Sequence, residues 1–194
     1  MKIFILNGPA RSGKDSLADF VVSKDNTFVK MKFATPIKRS VKCFFNVSDD
    51  EWDIFDNATM LKDFPHKTFL GSSCRQAQID FSERFIKPVY GSDTFGKILV
   101  NDILQELDKN PNINIIISDS GFVEEAIPVI EEFGKENVIL VRISRSGYTF
   151  ENDSRRYLTQ SELGLNSYYE LENKQLQTFL NEGLTMIDAI KRLT

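Results

Sequence analysis

The sequence predicts an α/β fold in which a parallel sheet of about five strands is covered by helices on both faces. Three observations carry that expectation. Ile3-Phe4-Ile5-Leu6, Ile113-Asn114-Ile115-Ile116-Ile117 and Val138-Ile139-Leu140-Val141 are near-continuous apolar runs, as strands buried on both faces require. Segments with helical spacing separate them. The first run passes into Gly8-Pro9-Ala10-Arg11-Ser12-Gly13-Lys14, where two glycines free the backbone so that its amides converge on an anion and a lysine adds a point charge.

Taken in order, Ile3 to Leu6 is the first strand, and Leu17, Phe20 and Val21 mark one side of the helix after the loop, whose N-terminal end aims at the same anion. Thr27 to Phe33 alternates apolar and polar residues and reads as the second strand. Thr35 is placed as an N-cap with Pro36 in the first turn, and Ile37, Val41, Phe44 and Phe45 as the helix's apolar stripe. Lys38, Arg39 and Lys42 lie between them and face either solvent or a substrate. Residues 48–70 follow no single period, which predicts a short helix with an acidic capping turn and a flap. Ser72-Ser73 caps a helix from Cys74 to about Ile86, stopped by Pro88, and Thr94 to Leu107 forms another. Ile113 to Asp119 is a strand ending in an acid, followed by a helix that carries Ala126, Val129, Ile130 and Phe133 toward the sheet. Asn137 to Ile143, then Tyr168 to Asn173, complete the strands. Leu176, Phe179, Leu180, Leu184, Ile187 and Ile190 line a closing helix that contains Gly183.

The chemistry follows from these placements, because ligands of such sheets sit at the carboxyl ends of the strands. Lys14 and the loop from Gly8 through Ala10, Arg11, Ser12 and Gly13 would hold phosphates. The residue after Lys14 is Asp15, where a serine or threonine hydroxyl usually meets Mg²⁺; either Asp15 approaches the metal through water or Ser16 substitutes. Asp119 is placed to organise the metal and its waters, with a turn or cap role as the alternative. Arg75 in the first turn of a helix opposes the helix dipole, which a bound phosphate would explain. Arg142, Arg145, Arg155 and Arg156 flank a polar loop over 144–157, read as a lid closing over transferring phosphates or, alternatively, as a surface loop with Asp153 pairing Arg155 or Arg156.

Composition narrows the classes. With 194 residues, 41% hydrophobic and 27% charged, the chain has enough length for a substantial core. No stretch approaches the roughly 20 apolar residues of a membrane span, and the N-terminus lacks a signal-peptide layout, so a cytoplasmic location is expected. Cys43 and Cys74 are too few for a disulfide framework or zinc site, and a single His66 excludes multi-histidine metal sites. A net charge of -4 and a pI of 5.2 disfavour a broad duplex-DNA footprint.

Gly8 to Phe20 resembles the phosphate loop of the bacteriophage deoxynucleoside monophosphate kinases, which also carry Arg-Ser-Gly-Lys-Asp and Ala-Asp-Phe. Arg75 with Gly91-Ser92-Asp93, and Ser161-Glu162-Leu163-Gly164-Leu165, are similar to further stretches of that family. The resemblance implies a three-layer P-loop NTPase fold in a single kinase domain over 1–194, with 34–110 as a helical acceptor-binding insertion and 144–157 as the lid. It implies ATP and Mg²⁺ as cofactors and transfer of the γ-phosphate to a deoxynucleoside monophosphate. Lys14, Asp15, Asp119, Arg142 and Arg145 would then be catalytic, the metal would lie near Asp15, Ser16 and Asp119, and Lys38, Arg39, Arg75, Asp93, Arg155 and Arg156 would bind the acceptor. Two features depart from the family: Asp119-Ser120-Gly121 lacks the arginine of its Asp-x-Arg, and the 48–70 flap is short. A related phage group phosphorylates 5-hydroxymethyluracil within DNA, which makes modified DNA the alternative acceptor; a nucleotide-binding protein without transfer activity is a third reading. Homodimer formation is left open, and in a phage-encoded protein the location is the host cytoplasm.

Overall fold

The computed structural model describes residues 1–57, 61–151 and 153–192. Residues 58–60 of the expected flap, residue 152 of the expected lid and the last two residues, 193–194, lie outside the described residues. Strands are β1 Ile3–Asn7, β2 Phe28–Met31, β3 Asn114–Ser120, β4 Val138–Ser144 and β5 Ser167–Glu172. Helices are α1 Lys14–Lys24, α2 Thr35–Phe44, α3 Asp49–Asn57, α4 Cys74–Asp80, α5 Lys87–Tyr90, α6 Thr94–Lys109, α7 Val123–Phe133, α8 Gln160–Leu163 and α9 Leu176–Arg192. Among the described residues, no helix is long and apolar enough to cross a membrane.

The chain divides into two compact units, Met1–Phe33 with Gly96–Thr194, and Ala34–Phe95. The first holds a five-stranded sheet in the order β2-β3-β1-β4-β5, with every pairing parallel. The α/β class with helices on both faces is therefore as expected. Side chains alternate across a strand, so one apolar run serves two cores. Ile3, Ile5, Ile115, Ile117, Val138 and Leu140 pack with Leu99 and Ile103 of α6 and Ala126 and Val129 of α7. Phe4, Leu6, Ile116, Ile139, Val141 and Ile143 pack with Leu17 and Val21 of α1 and Phe179 and Ile187 of α9. Gly183 is in α9 because a Cβ there would lie 2.6 Å from Leu17 Cδ1, so the glycine sets how closely α9 approaches α1. Because α6 contributes Leu99, Val100 and Ile103 to the sheet core, the second unit ends at Phe95, not at residue 110 as the expected insertion does.

The second unit, Ala34–Phe95, is helical. Phe55 stacks edge-on to Phe69 with centroids 5.2 Å apart, and Phe45 meets the same ring at 5.4 Å. Three expectations are corrected here. Ala34, not Thr35, occupies the cap position of α2, and it closes that end through its carbonyl, which accepts from Lys38 N at 3.0 Å. Phe44 is exposed, since the buried stripe of α2 is Ile37 and Val41. Pro88 does not end the helix: a π-turn over Phe81–Ile86 links α4 to α5, and the chain stays helical to Tyr90, where Gly91 at φ 102 turns it away. Pro88 falls in the first turn of α5, where its missing N–H is tolerated, and the wider π-turn ahead relieves its ring.

Candidate phosphate-binding site

The site is built at the carboxyl end of β1. β1 pairs with β3 on one side and β4 on the other, and α1, the helix after β1, packs on the face opposite to α7, the helix after β3, so a crevice opens beyond Asn7. The loop from Gly8 to Gly13 fills that position. Arg11 at φ 62 and Gly13 at φ 110 are left-handed, the alternation that turns successive amides toward one point. Gly8 is obligatory for a different reason: a Cβ would lie 2.4 Å from the Ile143 carbonyl oxygen.

α1 starts directly at Lys14, with Gly13 in the cap position and no side chain capping it. The amides of its first turn therefore await an external acceptor. Ser12 is fully buried, and its Oγ is the one buried side-chain polar atom without a partner among the described residues. An orphaned buried hydroxyl costs about 1–3 kcal/mol, which an anionic ligand would recover. Lys14 Nζ donates to the carbonyls of Gly8 at 2.6 Å and Pro9 at 2.7 Å, leaving a third hydrogen. Burial, then the charge of Arg155, lowers the Lys14 pKa to about 8.

Two asparagines brace the loop, and the sequence reading passed over both. Asn173 Nδ2 donates to Ser12 O at 2.9 Å. Asn7 Nδ2 donates to Ser120 O at 3.2 Å and Arg156 O at 3.0 Å, and its Oδ1 accepts from Leu158 N at 2.8 Å. The signal for Asn7 was present: it is a polar residue closing a run that is otherwise wholly apolar and buried.

The acidic residues sort differently from expectation. Asp119 lies at the end of β3, half-buried, with Oδ1 accepting from Phe33 N at 2.8 Å. The Asp15 carboxylate is taken up by Lys30 at 2.9 Å, Lys32 at 2.6 Å and the Ser118 hydroxyl at 2.9 Å. Burial alone would raise its pKa, but the two lysines outweigh that and hold it well below the usual carboxylate range. Ser16 is exposed. Among the described residues no group of three or more His, Cys, Asp or Glu forms a metal cage. Mg²⁺ in phosphate sites needs only one or two carboxylates, with water and phosphate oxygens supplying the rest. Asp119, at the carboxyl end of β3, fits that demand, while Asp15 already holds two ammonium groups.

The four arginines do not converge. Arg145 Nη1 donates to Arg11 O at 3.0 Å, so it touches the loop. Arg155 is locked by Asp153 through two bonds, Nε to Oδ1 at 2.9 Å and Nη2 to Oδ2 at 2.6 Å, the pairing weighed above as the alternative to a lid contact. Arg142 stacks 3.9 Å from the Tyr157 ring centroid, and Arg156 is held by Glu162 at 2.9 Å. Within the other unit, Lys38 and Lys62 both bind Asp56, at 2.6 and 2.5 Å. Burial would raise the Asp56 carboxyl, but these lysines bring it down to about 2. Arg75 pairs with Asp63 at 2.5 Å, so a bound phosphate is not needed to explain its place in α4; Arg39 is exposed, and Asp93 lies in the turn after Gly91.

No protein-family model matches this chain, and no curated protein matches it. Among solved structures, it is similar to an unliganded sugar kinase from Janibacter sp. HTCC2649, at 14% identity over 98% of each chain with a TM-score of 0.49. It is also similar to a gluconokinase from Sinorhizobium meliloti 1021, at 12% identity over 99% of this chain and 93% of that one, with a TM-score of 0.41. Similarity at this level bears on neither the reaction nor the substrate of this chain.

Proposed function

We propose that this protein is an ATP-dependent phosphotransferase that moves the γ-phosphate to a deoxynucleoside monophosphate. The observation that carries the reading is the loop itself: left-handed Arg11 and Gly13, an uncapped α1, a buried Ser12 hydroxyl without a partner and a buried Lys14 ammonium all turn on one small volume. That is the donor set of a polyphosphate cradle. The likeness of Gly8 to Phe20 to the phage nucleotide kinases supports the acceptor class.

In this reading the amides of Gly13 to Ser16 hold the β-phosphate, and Lys14 spans the β- and γ-oxygens. As the acceptor oxygen bonds to the γ-phosphorus, the bond to the β–γ bridging oxygen breaks and ADP leaves. Charge builds on the phosphoryl oxygens, and Lys14, already placed and desolvated, neutralises it without rearrangement. Asp119 is the residue suited to orient Mg²⁺ through its waters; bound with the nucleotide, the metal would neutralise phosphate charge. No strong base is required, because transfer of this kind depends on position and electrostatics.

The test is Lys14→Ala with labelled ATP and a panel of the deoxynucleoside monophosphates. Transfer is expected to be abolished while circular dichroism and thermal melting stay close to wild type. An active variant overturns the assignment. Label appearing on hydroxymethylated DNA instead of on nucleotides would move the acceptor to modified DNA.

A further inference from the structure

Lys32 is a cation at the strand ends that the site leaves without a task. β2 ends at Met31, which pairs with Ile117, so the next two residues run on beside Ser118 and Asp119. Phe28, Lys30 and Lys32 alternate onto one face of that strand, the face on which α1 packs. Both residues past the strand end reach an acid. Lys32 Nζ lies 2.6 Å from Asp15 Oδ1, and Phe33 N donates to Asp119 Oδ1 at 2.8 Å. Burial lowers the Lys14 pKa, and Asp15 and Asp119 act the other way, so both of these carboxylates lie within electrostatic reach of the Lys14 ammonium.

The two lysines on Asp15 are not equivalent. Lys30 is shared between two acids, since it also holds Asp19 at 2.7 Å; burial would lower its pKa, but its bonds to Asp19 and Asp15 raise it. Lys32 has Asp15 alone, which leaves two of its three hydrogens without an acceptor among the described residues. Its stem crosses from the end of β2 to the first turn of α1. The ammonium is held there on the side chain next in sequence to Lys14, beside amides that no side chain caps.

We infer that Lys32 is a second lysine of the nucleotide site, whose ammonium rests on Asp15 and turns its remaining hydrogens to the polyphosphate, sharing that charge with Lys14. Such a contact is charge-assisted and needs no rearrangement of the strand end. It counts most for nucleotide that arrives without a divalent cation, because the phosphate oxygens then keep the charge that a bound Mg²⁺ would neutralise.

This inference rests on reading the loop as a nucleotide site, and the experiment keeps the two apart. ADP is titrated at one fixed ionic strength, once with EDTA and once with saturating Mg²⁺. Wild-type protein that binds ADP under neither condition, or K14A that binds as well as wild type, overturns the nucleotide reading itself. Given binding, K32M is expected to lose about tenfold or more in affinity with EDTA and no more than about threefold with Mg²⁺. K30M removes an ammonium just as close to Asp15 and should stay within about threefold in both conditions, which separates a contact from a general field. D15N leaves an oxygen to hold Lys32 but removes the charge, so the double variant separates a contact from mere neutralisation of Asp15. D15N/K32M should bind ADP about tenfold or more weakly than D15N with EDTA. An unchanged EDTA affinity in K32M, a loss as large in K30M, a K32M loss undiminished by Mg²⁺, or a double variant that binds as well as D15N each overturns the inference. Should K32M fail to fold by circular dichroism, K32Q is held to the same limits.

Discussion

Lys14 sets the pH behaviour of the proposed site. Its ammonium is desolvated and faces the charge of Arg155, so its pKa falls from 10.5 to about 8, and an anion needs the charged form. ADP affinity is expected to be full below about pH 8 and to weaken as pH rises through it, a step that titrations from about pH 6.5 to about pH 9.5 would resolve. Stability of the free protein runs the opposite way. Between about 8 and 10.5 the unfolded chain keeps this proton and the folded chain does not, so this group makes folding more favourable as pH rises across the window. Lys14→Arg, charged at every accessible pH, should flatten the affinity profile; a step that persists belongs to another group. Asp15 supplies the companion test. Its side chain is 55% exposed, so losing its ion pairs in Asp15→Asn should change stability by about 1 kcal/mol at most. The Mg²⁺ concentration needed for half-maximal turnover is expected to stay within about threefold of wild type, and a rise of about tenfold or more would return Asp15 to the metal.

At the scale of elements, the end of β1 holds the 155–158 segment through the Asn7 side chain. Asn7→Leu keeps the branch at Cγ but is bulkier and leaves the Leu158 N–H unpaired in a buried place. A loss of about 2 kcal/mol is expected in denaturant unfolding, with faster amide exchange at Leu158 as the local sign. The elements were largely legible in the sequence. Strands buried on both faces must be apolar throughout, and that demand left its mark on Ile3–Leu6, Ile115–Ile117 and Val138–Val141. The loop was legible too, since glycine and lysine at those offsets serve a local geometry. What was hidden depends on residues distant in the chain. Lys30 and Lys32 looked like the polar side of a strand, and nothing nearby in sequence says that they meet Asp15. Nothing near Gly121 in the sequence says that the stem of Arg155 lies against it. The π-turn that carries the helix past Pro88 has no compositional mark, so the proline was read as a stop.

For the molecule as a whole, ligand binding and stability are linked. A nucleotide that binds only the folded form at 100 times its dissociation constant adds about 2.7 kcal/mol. For a chain of 194 residues that corresponds to a rise in Tm of roughly 5–10 °C, readable by scanning fluorimetry with ADP and absent in Lys14→Ala. The same long-distance bracing bears on biogenesis. Ser12 is tied by Asn173, 161 positions later, and Asn7 by Leu158, 151 positions later, while β1 finds its neighbours only in β3 and β4. A nascent polypeptide emerging from the ribosome carries the glycine-lysine stretch early, yet that stretch stays unsupported until translation has passed Asn173. Nucleotide capture would therefore begin only after Asn173 has emerged, and products that stop short of it would be silent toward ATP.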